Sequence, residues 1–130
     1  MTRNVHLLLI EDETILAKNI RAYLVRNGYE VRIAITAEVG LAELKAFKPD
    51  IILLDFNLPG MNGLEALPKI HPLDSQVKVI MMTGDAGIDL AGKAMYAGAT
   101  DFVAIPFSFG DLRLKLEGVF INACREKSLS

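Results

Sequence analysis

Short apolar runs alternate along the chain with longer stretches of helical period, and that alternation sets the fold class. Residues 7–10 are continuously apolar and are cut off by Glu11, Asp12 and Glu13. From about Thr14 a helical stretch carries Leu16, Ile20 and Leu24 on one face, and Asn27-Gly28 stops it. Residues 29–35 alternate, with Val31, Ile33 and Ile35 apolar against Glu30, Arg32 and Ala34. Strict alternation of this kind belongs to a strand with one wet face or an edge position. Thr36 suits the N-cap of a second helix through Phe47, closed by Lys48-Pro49.

Residues 51–54 are apolar without interruption, which predicts a central strand covered on both faces, ending in Asp55. A turn-rich stretch through Gly60 and Gly63 leads to a short helix at about 64–70, compromised by Pro68. A fourth strand at 77–82 ends at Thr83-Gly84-Asp85. A weak helix at about 88–97 contains Gly92. A short fifth strand covers 101–105, and Pro106 breaks the chain. Ser108 and Asp111 have capping-box spacing and open a last helix with Leu112, Leu116, Val119, Phe120 and Ala123 inward. Leu114 and Ile121 fall on another side and are expected to be exposed. Residues 126–130 read as a tail or linker stub.

Five βα units in this length make a doubly wound α/β domain: a five-stranded parallel sheet with helices on both faces. The alternating second strand suits an edge and favours order 2-1-3-4-5. Ligand chemistry in such sheets gathers at the carboxyl ends of the strands, beside the reversal between strands one and three.

Composition narrows the classes. The 130 residues are 52% hydrophobic and 23% charged, which fits one soluble globular domain over 1–130 with a core at about 5–125. One cysteine allows no internal disulfide, and one Cys with two His cannot build a zinc site. Cys124 reads as a semi-buried thiol, and His6 and His71 as surface residues away from the crevice. A net charge of −2 argues against direct nucleic-acid binding. No apolar run is long enough for a bilayer and the N-terminus lacks a signal-peptide profile, so a cytoplasmic protein is expected.

The predicted crevice collects Glu11 and Asp12 from strand one, Asp55 from strand three and Thr83 from strand four. Clustered carboxylates repel and favour a cation, and oxygen ligands suit Mg²⁺. Singly, Asp12 reads equally well as an acidic helix cap, Asp55 as a turn initiator and Thr83 as a loop cap. Their arrival at the ends of strands one, three and four together favours a common site.

Four fragments in order, residues 8–13, 51–63, 79–84 and 98–107, resemble the receiver domain of two-component response regulators, over roughly 5–125. The resemblance implies that Asp55 accepts a phosphoryl group from a sensor histidine kinase or a phosphotransfer protein. Mg²⁺ would be held by Glu11, Asp12, Asp55 and the backbone carbonyl of Asn57. The Thr83 hydroxyl would bond a phosphoryl oxygen, Gly84 would leave space for it, and Phe102 would be the switch aromatic. Polar Asn57 and Asp85, each two residues past a site residue, would shorten the life of the phosphoryl group by orienting water. The Ile105–Pro106 bond is expected to be cis.

The sequence departs from the family pattern at Ile105, where a lysine ordinarily precedes the proline. The charge that would face the acceptor and the phosphoryl group is missing, and with it part of the transition-state stabilisation. Either Asp55 still takes phosphate with altered transfer or switching, or the chain is a degenerate receiver acting as a phosphorylation-independent interaction module. Lys93 is the conceivable substitute cation.

Such a domain is a phosphoacceptor rather than an enzyme, catalysing at most its own phosphorylation and dephosphorylation. Its partners would be the kinase, an effector domain beyond Ser130 if the chain is a fragment, or a second copy through helix 4, strand 5 and helix 5. Two rivals fit less well. A dehalogenase-like phosphatase needs an acid where Asn57 stands, and a flavin carrier would have its phosphate repelled by residues 11–13.

Overall fold

The computed structural model describes residues 4–84 and 88–129, with side chains described over 4–84 and 90–119. Its strands are β1 (Val5–Ile10), β2 (Tyr29–Ala34), β3 (Ile51–Asp55), β4 (Lys78–Thr83) and β5 (Asp101–Ala104). Its helices are α1 (Thr14–Arg26), α2 (Ala37–Phe47), α3 (Gly63–Ala66), α4 (Ile88–Tyr96) and α5 (Phe109–Leu129). All strand pairs are parallel in the order β2-β1-β3-β4-β5. The expected doubly wound sheet, with its reversal between β1 and β3, is the fold.

Alternation along each strand splits the interior into two layers. Leu8, Ile10, Ile52, Leu54, Val79 and Met81 face α2, α3 and α4. Leu7, Leu9, Ile51, Leu53, Ile80 and Met82 face α1 and α5, whose Ile20, Leu24, Leu112 and Leu116 cover them. Every residue of β3 is buried, as its unbroken apolar run predicts. β2 is an edge strand, but its alternation fails at the end: Ala34 is buried, while Ile35 lies past the strand and is 57% exposed. Thr36 caps α2, accepting a hydrogen bond from Val39 N at 3.1 Å.

Several boundaries move. β4 starts and ends one residue later than 77–82, and β5 stops at Ala104. The helix expected at 64–70 is α3 followed by a 3₁₀ turn over Leu67–Lys69, because Pro68 has no N–H to continue an α-helix. Residue Glu13, not Asp12, stands at the N-cap of α1 and makes no side-chain cap. α5 runs to Leu129, so most of the segment expected as a tail is helical; no glycine or proline follows Gly118 to stop it. Ser108 accepts from Asp111 N at 3.0 Å, and Leu112, Leu116 and Val119 are buried. Phe120, Ile121, Ala123 and Cys124 have side chains outside the described residues.

Neither histidine is a free surface group. His6 pairs with Glu30 at 2.9 Å and stacks on Phe47. His71 Nε2 lies 3.2 Å from the Val77 carbonyl.

Candidate metal and phosphoryl site

At the carboxyl end of the sheet, three strands end in polar residues that the fold buries. Glu11 follows β1 and is 1% exposed, Asp55 ends β3 at 6%, and Thr83 ends β4 at 2%. Asp12 is half-buried beside them, and carboxylate oxygens of Glu11, Asp12 and Asp55 all lie within 4.8 Å of one another. The register explains the convergence: β1 and β4 flank β3, so their ends bracket Asp55.

Backbone amides hold part of the cluster. Glu13 N donates to Glu11 Oε1 at 3.0 Å, and Asn57 N donates to Asp55 Oδ1 at 3.1 Å. Glu11 Oε2 is buried and has no hydrogen-bond partner among the described residues. Burial pushes the Glu11 carboxyl up to about 8, the Glu13 amide opposes the shift, and Asp55 and Asp12 add to it. Among the described residues no lysine or arginine pairs with the three acids. Lys93 is exposed in the last turn of α4, and no contact ties its ammonium to the cluster.

The loop after β3 is fixed from both sides. Phe56 N donates to Met82 O at 2.9 Å, and Gly63 N to Phe56 O at 3.0 Å. A Cβ on Gly63 would run into the backbone carbonyl oxygen of Asp55, so α3 closes on the acid only because residue 63 has no side chain. Asn62 and Glu65 form a reciprocal capping box at the start of α3. Sequence reading missed both features; the Asn-x-x-Glu spacing was there to find the capping box, while the approach of Gly63 to Asp55 leaves no mark in the sequence.

Across β4, Thr83 pairs with Ala104, and its carbonyl accepts from Ile105 N at 2.8 Å. A Cβ on Gly84 would meet nothing within 4 Å. Phe102 is half-buried against the α2–α3–α4 layer. Ile105 packs against the α1–α5 layer and precedes a cis bond to Pro106, as expected. The Asn57 side chain is exposed, and Asp85 lies outside the described residues.

The donor set is all oxygen, closely spaced, with one buried carboxylate oxygen left without a donor. Those features fit a hard divalent cation. An acidic centre at the switch point of a five-stranded parallel sheet defines a receiver-like α/β protein. Residues 7–117 match the response regulator receiver domain, and the chain belongs to that family.

Similar proteins agree. The chain is 32% identical over 120 residues to regulatory protein LuxO of Vibrio vulnificus strain YJ016, covering 92% of this chain and 26% of LuxO. It is 33% identical over 104 residues to chemotaxis protein CheY of Bacillus subtilis strain 168, covering 78% of this chain and 85% of CheY. The structure of a CheY-like response regulator receiver domain protein from Methanospirillum hungatei JF-1 superposes with a TM-score of 0.90. Its identity is 32%, covering 95% of this chain and 98% of that one. The chain spans about a quarter of the length of the LuxO regulators it matches.

Proposed function

We propose that Asp55 is the phosphoacceptor of a Mg²⁺-dependent receiver served by a sensor histidine kinase or phosphotransfer protein. The observation that carries the reading is the convergence of Glu11, Asp12 and Asp55 with an undonated Glu11 oxygen among them. Glu11, Asp12, Asp55 and the Asn57 carbonyl would hold the ion. When bound, Mg²⁺ would supply positive charge that offsets the carboxylates and the incoming phosphoryl group.

In the transfer, an Asp55 carboxylate oxygen attacks phosphorus in line as the bond from phosphorus to the donor histidine nitrogen breaks. The electron pair of that bond returns to the imidazole. The Asn57 amide on Asp55 Oδ1 orients the carboxylate, which supports attack by the other oxygen. The Thr83 hydroxyl then donates a hydrogen bond to a phosphoryl oxygen, Gly84 leaves it room, and Phe102 registers the change on β5. Asn57 and Asp85 orient water for hydrolysis. Ile105 supplies no charge, so the phosphorylated site carries one positive side chain fewer than the family pattern.

In this reading the chain is one receiver domain that signals in the cytoplasm, catalysing only its own phosphoryl chemistry. Output passes to an effector domain or to a second copy through α4, β5 and α5. That face is supported by a cavity of about 700 Å³ between β5 and α5 and by Leu114, which is 64% exposed on it.

The test is backbone NMR with Mg²⁺ and beryllofluoride, a mimic of the aspartyl phosphate. Shifts at Asp55, Thr83 and Phe102 that vanish in Asp55→Asn are expected. A response only in Ile105→Lys would identify a degenerate receiver, and silence in both would overturn the proposal.

A further inference from the structure

Phe102 packs on the α2–α3–α4 side of the sheet, whereas α5 covers the opposite side. Lys115 of α5 nevertheless places its Nζ 5.7 Å from the centroid of the Phe102 ring. It can do so because β5 is an edge strand, and a lysine stem is long enough to pass round the edge. Asp101 receives the ammonium on both carboxylate oxygens, at 3.3 and 3.2 Å. Asp101 Oδ1 also accepts from Phe102 N at 2.8 Å. The ammonium is thereby fixed by the residue next to the ring it faces.

Phe102 shares its side of β5 with Ala104, and Ala104 is the ladder partner of Thr83. Only a methyl group stands on β5 between the ring and the level of Thr83. A ring turned along the strand toward Thr83 would pass over that methyl and leave the Lys115 ammonium.

We propose that Lys115 is a positioning residue for Phe102: anchored by Asp101, it holds the ring at the β5 edge and opposes its turn toward Thr83. The coupling to phosphorylation rests on the function proposed above; the hold on the ring does not. A ligand that favours the turned ring must break the contact, so Lys115 weakens that ligand's binding by whatever the contact contributes.

The experiment compares the parent with Lys115→Met, which keeps the stem without the charge, and Lys115→Arg, which keeps the charge. Aromatic NMR, with Phe102→Leu to identify the resonances, reads the χ1 populations of Phe102 in free protein. A beryllofluoride titration in Mg²⁺ then reads affinity. Lys115→Met is expected to shift the rotamer ratio, and to tighten beryllofluoride, by about two- to fivefold, the range of an exposed cation–π contact. Lys115→Arg should restore both. Thermal unfolding verifies that each variant is folded. Unchanged χ1 populations in Lys115→Met would overturn the positioning role. A changed ring with unchanged or weaker beryllofluoride binding would overturn the coupling. A parent silent to beryllofluoride would defeat the proposed function, while the rotamer ratio in free protein would still decide the role of Lys115.

Discussion

Gly63 sits so close to the backbone carbonyl of Asp55 that one added carbon would overlap it. The contact joins the first residue of α3 to the last residue of β3, and makes the position of the acid depend on a missing side chain. Gly63→Ala should cost about 1–3 kcal/mol in urea unfolding, since the obstacle is backbone rather than a yielding side chain. Gly84→Ala is the contrast: its Cβ meets nothing, so stability should stay within about 0.5 kcal/mol while beryllofluoride binding falls. Equal destabilisation by the two would contradict the packing described.

Metal-free protein should lose stability as pH rises. The folded Glu11 carboxyl titrates at about 8 against an ordinary value of 4.5. Between those values the folded chain holds a proton that the unfolded chain has released. Stability from that proton is complete below the unfolded value and is lost as pH climbs through the folded one. Urea melts in chelator from about pH 5 to 9 should show the decline, and Glu11→Gln should flatten it.

Mg²⁺ should reverse the pattern. In the proposed site deprotonated Glu11 would be a ligand, so ion binding should release a proton and tighten as pH rises toward 8. Calorimetry in two buffers of different ionisation enthalpy would measure the release. Asp55→Asn should weaken Mg²⁺ binding yet leave the chelated protein more stable by about 1 kcal/mol, because a buried carboxylate crowded against two other acids becomes a neutral amide.

Thr36→Ala removes the acceptor for Val39 N at the head of α2. A loss of about 1 kcal/mol is expected, with beryllofluoride binding unchanged. A loss confined to binding would mean that Thr36 acts on the site instead of the helix.

Much of this architecture is legible in the sequence because buried parallel strands leave unbroken apolar runs, as residues 51–54 do, and edge strands alternate, as residues 29–33 do. The carboxylates were legible because strand ends locate a switch point before any coordinate is known. What the sequence hid depends on side-chain reach and close approach. Nothing in residue types marks Gly63 as pressed against Asp55, or shows Lys115 passing round a sheet edge to Phe102. Ala34 and Ile35 were misread for a related reason. Alternation says which residues share a face, but the end of a strand is set by where the ladder stops.

β3 is buried on both sides along its whole length, between two flanking strands. Amides in such a position exchange with solvent only when the whole domain opens. Asp55 therefore sits on the part of the molecule that comes apart last, and its neighbours Glu11 and Thr83 reach it only through an intact ladder. A half-folded copy cannot bring the three carboxylates together, because the ladder that closes the core is the same one that assembles them. The acidic centre is thus a late product of folding, present only where the sheet is whole.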